Sequence, residues 1–275
     1  MGMRFAIALF LATSSPSVLS RTQVERPMCK VVCDSLLSED LPPVSENPAC
    51  IPMQNDGPTE AGSFDWMARH RAVLEVARGR RDSKLILIGD SITHGWGGVP
   101  EPGPQWKGTA PQLWDECFEK WKPINMGFGW DQTGHVLWRF QNGALDGLSP
   151  KVAVVLIGTN NTMHHTAEQI AGGIVAVVDD LERRLPTAHV LLLGILPRDK
   201  TVTESREKNN RVNELVSDLG LRDRVTFLDM TKSFTHEDGR LRTELFPDDL
   251  HLNEDGYEVW AKSMMPTLNR LMSAE

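Results

Sequence analysis

The chain has 275 residues, a formal net charge of −8 and 40% apolar residues, enough to bury a substantial core in one large domain or two small ones. It contains no long basic run, which argues against nucleic acid and anionic membrane as main partners, because both are bound through clustered Lys and Arg. A small uncharged or cationic substrate suits such a surface better.

The first twenty residues, MGMRFAIALFLATSSPSVLS, read as a signal peptide: Arg4 leads, Phe5 to Ala12 are apolar, and small polar residues follow before Arg21. That apolar run is too short to span a bilayer as a helix. The expectation is a secreted or periplasmic protein without a membrane span. Residues 21–63 are rich in Pro, Ser, Asn, Asp and Glu without periodicity, and read as an irregular arm. No repeat or linker divides 64–275, so one domain is expected there. Cys29, Cys33 and Cys50 fall in the arm and Cys117 beyond it. One disulfide within the arm is expected, with Cys117 reduced inside a helix; the pairing itself is not legible. Zinc would need more thiol or imidazole ligands at regular spacing.

Trp66, Met67, His70, Val73, Leu74 and Ala77 fall at helical spacing, predicting a helix that ends near Gly79. Apolar runs then recur at Leu85–Ile88, Ile124–Met126, Val152–Ile157, Val190–Leu193 and Val225–Leu228. They are continuously apolar rather than alternating, as in strands buried on both faces. Between and after them lie helical stripes, among them Leu113, Trp114, Cys117, Phe118 and Trp121; Ile170, Ile174, Val177, Val178 and Leu181; and Tyr257, Trp260, Met264, Leu268 and Leu271. Alternation of this kind predicts a parallel sheet between helix layers, with its site outside the carboxyl ends of the strands.

The residues just after the runs carry chemistry. Gly89, Asp90 and Ser91 follow the first, Gly127 ends the second, Gly158, Thr159, Asn160 and Asn161 follow the third, and the late stretch PDDLHLN supplies Asp248 and His251. Acyl transfer from an ester needs such a set. A serine hydroxyl is a weak nucleophile until an imidazole takes its proton, and a carboxylate must fix that imidazole. The resulting oxyanion needs preorganised donors, for which Ser91 N–H, Gly127 N–H and the Asn160 amide are the candidates. Asp248 and His251, three apart in one helical turn, would share a face; Asp249 lies off it. Trp96, Trp130 and Leu250 are candidate substrate contacts, with Trp106 a weaker one. Each block also has a plain reading, a GDS turn being an ordinary helix N-cap. His94, His189 and His236 read as structural or solvated, His135 as a pocket or cap residue, and the adjacent His164 and His165 as diverging.

GDSI at 89–92, the Gly127 block, GTNN at 158–161 and DDLH at 248–251 resemble the conserved blocks of the SGNH hydrolases, or GDSL esterases. Four in order, each after the right element, form a specific signal where one alone is weak. The resemblance implies Ser91 as nucleophile, His251 as base, Asp248 as its orienting partner, Ser91, Gly127 and Asn160 as oxyanion donors, and no cofactor or metal. The segments DWMARHRAVL, GHVLWRFQNGAL, SPKVAVVLIGTNN, TAEQIAGGI and LLLGILPR are further similar to the catalytic subunits of intracellular platelet-activating factor acetylhydrolase, from about Asp65 to Leu271. That implies a flavodoxin-like three-layer α/β/α sandwich with a five-stranded parallel sheet, cleavage of short acyl esters, and room for a homodimer. Four departures stand out: the extra run Gly95–Gly108, Gly134 where that group has arginine, Asp249 where it has an aromatic residue, and a signal peptide where that group is cytosolic. The expectation is a serine esterase acting on acetyl esters of a carbohydrate. Its rivals are acetylated phospholipid as substrate, acyl transfer to a sugar hydroxyl, and a non-catalytic binding module of the same fold.

Overall fold

A computed structural model of the chain describes residues 41–55, 65–98 and 107–274. The expected signal segment, the arm through residue 40, Cys29, Cys33 and Trp106 lie outside the described residues. All described residues belong to one compact unit, 34–275.

Helix α1 (Trp66–Gly79) begins where the Asp65 carboxylate accepts the Ala68 N–H at 2.7 Å, an N-cap that satisfies one free helix donor. Strands β1 (Leu85–Gly89), β2 (Ile124–Gly127), β3 (Val152–Leu156), β4 (His189–Leu193) and β5 (Val225–Leu228) form one parallel sheet in the order β2-β1-β3-β4-β5. Their unbroken apolar runs follow from burial on both faces. Ile86, Ile88, Val155 and Leu192 meet α1, α4 (Thr133–Gln141), α5 (Ala167–Arg184) and α6 (Glu204–Val216) on one side. Leu85, Leu87, Val154 and Leu191 meet α3 (Pro111–Phe118) and α7 (Glu254–Ser273) on the other. This is the expected three-layer sandwich. The one-turn helix α2 (Ser91–His94) follows β1 directly.

Strand order reverses at β1, with β2 on one side and β3 on the other, so a crevice forms beyond their carboxyl ends. Gly89 pairs in register with Gly127 of β2 and Leu156 of β3. The segments that follow these three strands therefore leave the sheet side by side.

Residues 41–55 carry two short 3₁₀ turns, Val44–Glu46 and Pro48–Cys50, and 47–53 pack as a strap over the starts of α4 and α5. Asn47 Nδ2 donates to Gln169 O at 2.9 Å, Thr133 Oγ1 to Ala49 O at 2.7 Å, and Met53 N–H to Gly134 O at 3.2 Å. A Cβ on Gly134 would lie 2.5 Å from Ile51 O, so the strap accounts for glycine there. The strap buries the side chain of its own Cys50 as a free thiol, pushed up to about 12 by burial and by the negative charge of Asp179, and hence protonated. No disulfide involves it, and Cys117 is likewise free, half-buried in α3. Among the described residues no helix is long and apolar enough to cross a membrane.

Candidate active site

Ser91 opens α2, and Asp90 caps that turn by accepting the Ile92 N–H at 2.9 Å. Ser91 Oγ lies 2.8 Å from His251 Nε2, and His251 Nδ1 lies 2.7 Å from Asp248 Oδ2. The structure thus joins residues 160 positions apart into one chain of hydroxyl, imidazole and carboxylate. Asp248 and His251 are not on a helix, contrary to the sequence expectation. They sit in a turn before α7, in which Asp248 Oδ1 accepts the N–H groups of Leu250 at 3.1 Å and His251 at 2.7 Å. Burial opposes the Asp248 charge, but the His251 ring and these two amides outweigh it and hold the carboxyl below its ordinary range. Asp249, at φ 62°, accepts the Asp199 N–H at 2.8 Å, which ties this turn to the segment after β4. An ionised carboxylate on one ring nitrogen leaves the other to accept a proton from the serine, the arrangement needed to activate a hydroxyl.

The segment after β2 is held from several sides. Asp131, fully buried, accepts Trp66 Nε1 at 2.6 Å and Arg139 Nε at 2.9 Å, and its backbone oxygen accepts Asn160 Nδ2 at 3.0 Å. Burial raises the Asp131 carboxyl to about 6 against the pull of Arg139. The Phe128 ring is flanked by two guanidinium groups, with Arg139 Cζ 4.1 Å and Arg69 Cζ 5.0 Å from its centroid. Arg69 Nε also donates to Gly127 O at 2.7 Å. Asn125, a polar residue inside β2, donates to Thr93 O at 2.9 Å and Gly97 O at 2.7 Å, tying α2 to the strand.

Gly127 does not fit the oxyanion role expected of it. Its N–H already donates to Asn125 Oδ1 at 2.9 Å, and a Cβ there would lie 2.2 Å from His94 N. The close approach of α2 by itself requires glycine at this position. The following amides are bonded too: Phe128 N–H to Gly89 O at 3.0 Å, Gly129 N–H to His94 Nδ1 at 3.2 Å, and Asp131 N–H to Phe128 O at 3.2 Å. Between them, the N–H of Trp130 meets no acceptor among the described residues. Trp130 also adopts φ 65°, a left-handed conformation that strains a bulky residue, and its side chain is 61% exposed.

Trp96 also departs from the substrate contact expected of it. It is fully buried among Trp114, Phe118, Tyr257 and Trp260, its ring 4.6 Å from that of Trp260, so it belongs to the core between α3 and α7 and cannot touch a substrate. Leu250 is half-buried beside His251. His135 caps α4 through its ring, which accepts the Gln132 N–H at 2.9 Å. Of the residues that frame the site, Asp131, Arg139 and His94 carry no mark of it in the sequence; only Asn125, polar within an apolar run, gives a visible signal.

A parallel three-layer sandwich with a serine–imidazole–carboxylate chain at its carboxyl rim defines a class of enzymes that cleave esters. The profile of the GDSL-like lipase/acylhydrolase family matches residues 87–259, and the chain belongs to that family as a carboxylic ester hydrolase. It is 36% identical over 236 residues to platelet-activating factor acetylhydrolase IB subunit alpha1 of Bos taurus, covering 84% of this chain and 93% of the relative. Its fold is similar to that of a GDSL-like lipase from Bacteroides thetaiotaomicron, with TM-score 0.61, 16% identity, and coverage of 75% and 99% of the two chains. It is also similar to Est24, a carbohydrate acetylesterase from Sinorhizobium meliloti, with TM-score 0.53, 17% identity, and coverage of 69% and 99%.

Proposed function

We propose that the enzyme hydrolyses short acyl esters, acetyl above all, through an acyl-enzyme on Ser91. The observation that carries this reading is the unbroken chain from Ser91 Oγ through His251 to Asp248, with contacts of 2.8 and 2.7 Å. Ser91 attacks the ester carbonyl as His251 Nε2 takes its proton, and the ring returns that proton to the departing alcohol. Water then repeats the sequence on the acyl group. The oxyanion donors are Ser91 N–H, the Asn160 Nδ2 hydrogen not given to Asp131, and the Trp130 N–H in place of Gly127. A fluorophosphonate should label Ser91 stoichiometrically. Ser91→Ala should abolish labelling and lower kcat by about 10⁶-fold; a folded wild type that is neither labelled nor active would refute an enzyme and favour the binding module.

The alcohol side is read as a carbohydrate. The exposed Trp130 indole beside the oxyanion donors offers a face for a sugar ring, and export through residues 1–20 would bring the enzyme to acetylated polysaccharide. Trp130→Gly keeps the amide and relieves the strained φ while removing that face. It should raise KM for acetylated xylan by about three- to tenfold, with kcat for 4-nitrophenyl acetate changed less than about threefold. The second reading, acetylated phospholipid, is favoured by 36% identity to the acetylhydrolase subunits. Comparing acetylated xylan, acetylated sialic acid and a short-chain phosphocholine separates the two: a kcat/KM for the phosphocholine above those for both sugars would overturn the carbohydrate assignment.

A further inference from the structure

His94 closes the one-turn helix that Ser91 opens, is buried at 6% exposure, and has no part in the relay. Its backbone N lies 2.2 Å from the position a Gly127 Cβ would take, so the end of α2 rests directly on the end of β2. From there the ring reaches the next segment, where Nδ1 accepts the Gly129 N–H at 3.2 Å. On the far side of Trp130, the Asp131 oxygen is held by Asn160 Nδ2 at 3.0 Å. The residue whose N–H has no acceptor is thus pinned before and after itself. The pin before it comes from the helix that carries the nucleophile.

We propose that His94 is a positioning residue: as a hydrogen-bond acceptor it fixes the Gly129 peptide and so aims the Trp130 N–H at the oxygen of an ester attached to Ser91. This rests on the reading of Trp130 N–H as an oxyanion donor in a serine esterase. The physical gain is a shared frame. Nucleophile and donor are both referenced to α2, so a displacement of that turn moves them together and preserves the spacing that stabilises the developing charge. Filling space would require only the volume of the ring; orienting Gly129 requires an acceptor at the δ position and hence the ring tautomer with its hydrogen on Nε2.

Two variants and one wild-type measurement test this. His94→Leu fills the site without an acceptor. His94→Asn puts an oxygen at the same number of bonds from the backbone as Nδ1. With 4-nitrophenyl acetate, His94→Leu should lower kcat by about tenfold, less than the loss of a whole oxyanion donor, with KM changed less than about threefold. His94→Asn should recover most of that loss although its volume is the poorer match. Equal activity in wild type and His94→Leu, or no recovery in His94→Asn at a comparable Tm, overturns the inference. If neither variant folds, the ¹⁵N shifts of the His94 ring in the wild-type enzyme decide: an unprotonated Nδ1 supports the assignment and a protonated Nδ1 overturns it. A wild type that shows no Ser91-dependent esterase activity would instead refute the reading beneath, so the two failures are distinguishable.

Discussion

Two segments meet α2, the turn that carries Ser91, and are built in opposite ways. The one after β2, 127–131, is buried but for Trp130, bonded at every amide but one, and backed by the Asp131–Arg139 pair, in which Arg139 Nη2 lies 2.8 Å from Asp131 Oδ2 with both side chains fully buried. The turn from Asp248 to His251 is more open, with the Asp248 and His251 side chains 55% and 43% accessible, and is held by two amides donating to Asp248 Oδ1, by Asp249 N–H to Phe246 O and by Asp199 N–H to Asp249 O. The difference matches the two tasks proposed for these segments, oxyanion donor and proton carrier. A donor to a developing charge must be in place beforehand, since reorganisation during the reaction would cost what the hydrogen bond contributes. A ring that collects a proton from one oxygen and delivers it to another needs room to turn.

The comparison can be broken first on the exposed side. Asp248→Asn should lower kcat/KM by about 10⁴-fold, because the ring loses the partner that fixes its tautomer. Tm should hardly change, since the turn carries little of the core; a loss below about tenfold on 4-nitrophenyl acetate would remove Asp248 from the relay. On the buried side the order should invert. Asp131→Asn leaves the Arg139 charge in the core without a counter-ion, an alteration that typically costs about 3–5 kcal/mol. Urea unfolding should register that loss directly, and kcat should fall by about tenfold through the displaced Trp130 amide; an unchanged unfolding free energy would show the segment to be held by other means.

A pH-dependent effect sharpens the picture beside the nucleophile. Burial raises the Asp90 carboxyl to about 7, against the pull of the Ile92 N–H. The folded protein therefore keeps a proton that the unfolded chain releases near its ordinary pKa of about 4. This contribution to stability is complete below about pH 4 and is lost as pH rises toward 7. Asp90→Asn removes the slope, so its Tm relative to wild type should climb between pH 4 and 7. A difference that stays flat across this window would mean that Asp90 is not the group responsible.

Much of this was legible in the residues. Strands covered on both faces must be apolar throughout, and the five runs mark the sheet to within a residue or two. The residues behind each run then name the rim. What sequence did not convey was direction. Trp96 stands five residues from Ser91, yet it turns inward to the aromatic cluster of α3 and α7. Gly127 reads as an opening for substrate, whereas its missing side chain makes room for the backbone of His94. The strained residue at the rim is a tryptophan, a type that gives no hint of a left-handed φ. The link from His94 to Gly129 joins residues 35 positions apart and has no periodic signature.

The strap has a practical bearing on where the folding unit begins. Asn47 and Ala49 are almost wholly shielded, and glycines at 134, 172 and 173 form the furrow that receives them. A truncation starting at residue 64 would strip that furrow and expose the Cys50 niche and the flank of α5 to water, inviting self-association. A fragment meant to stay soluble should therefore retain the chain from at least Leu41.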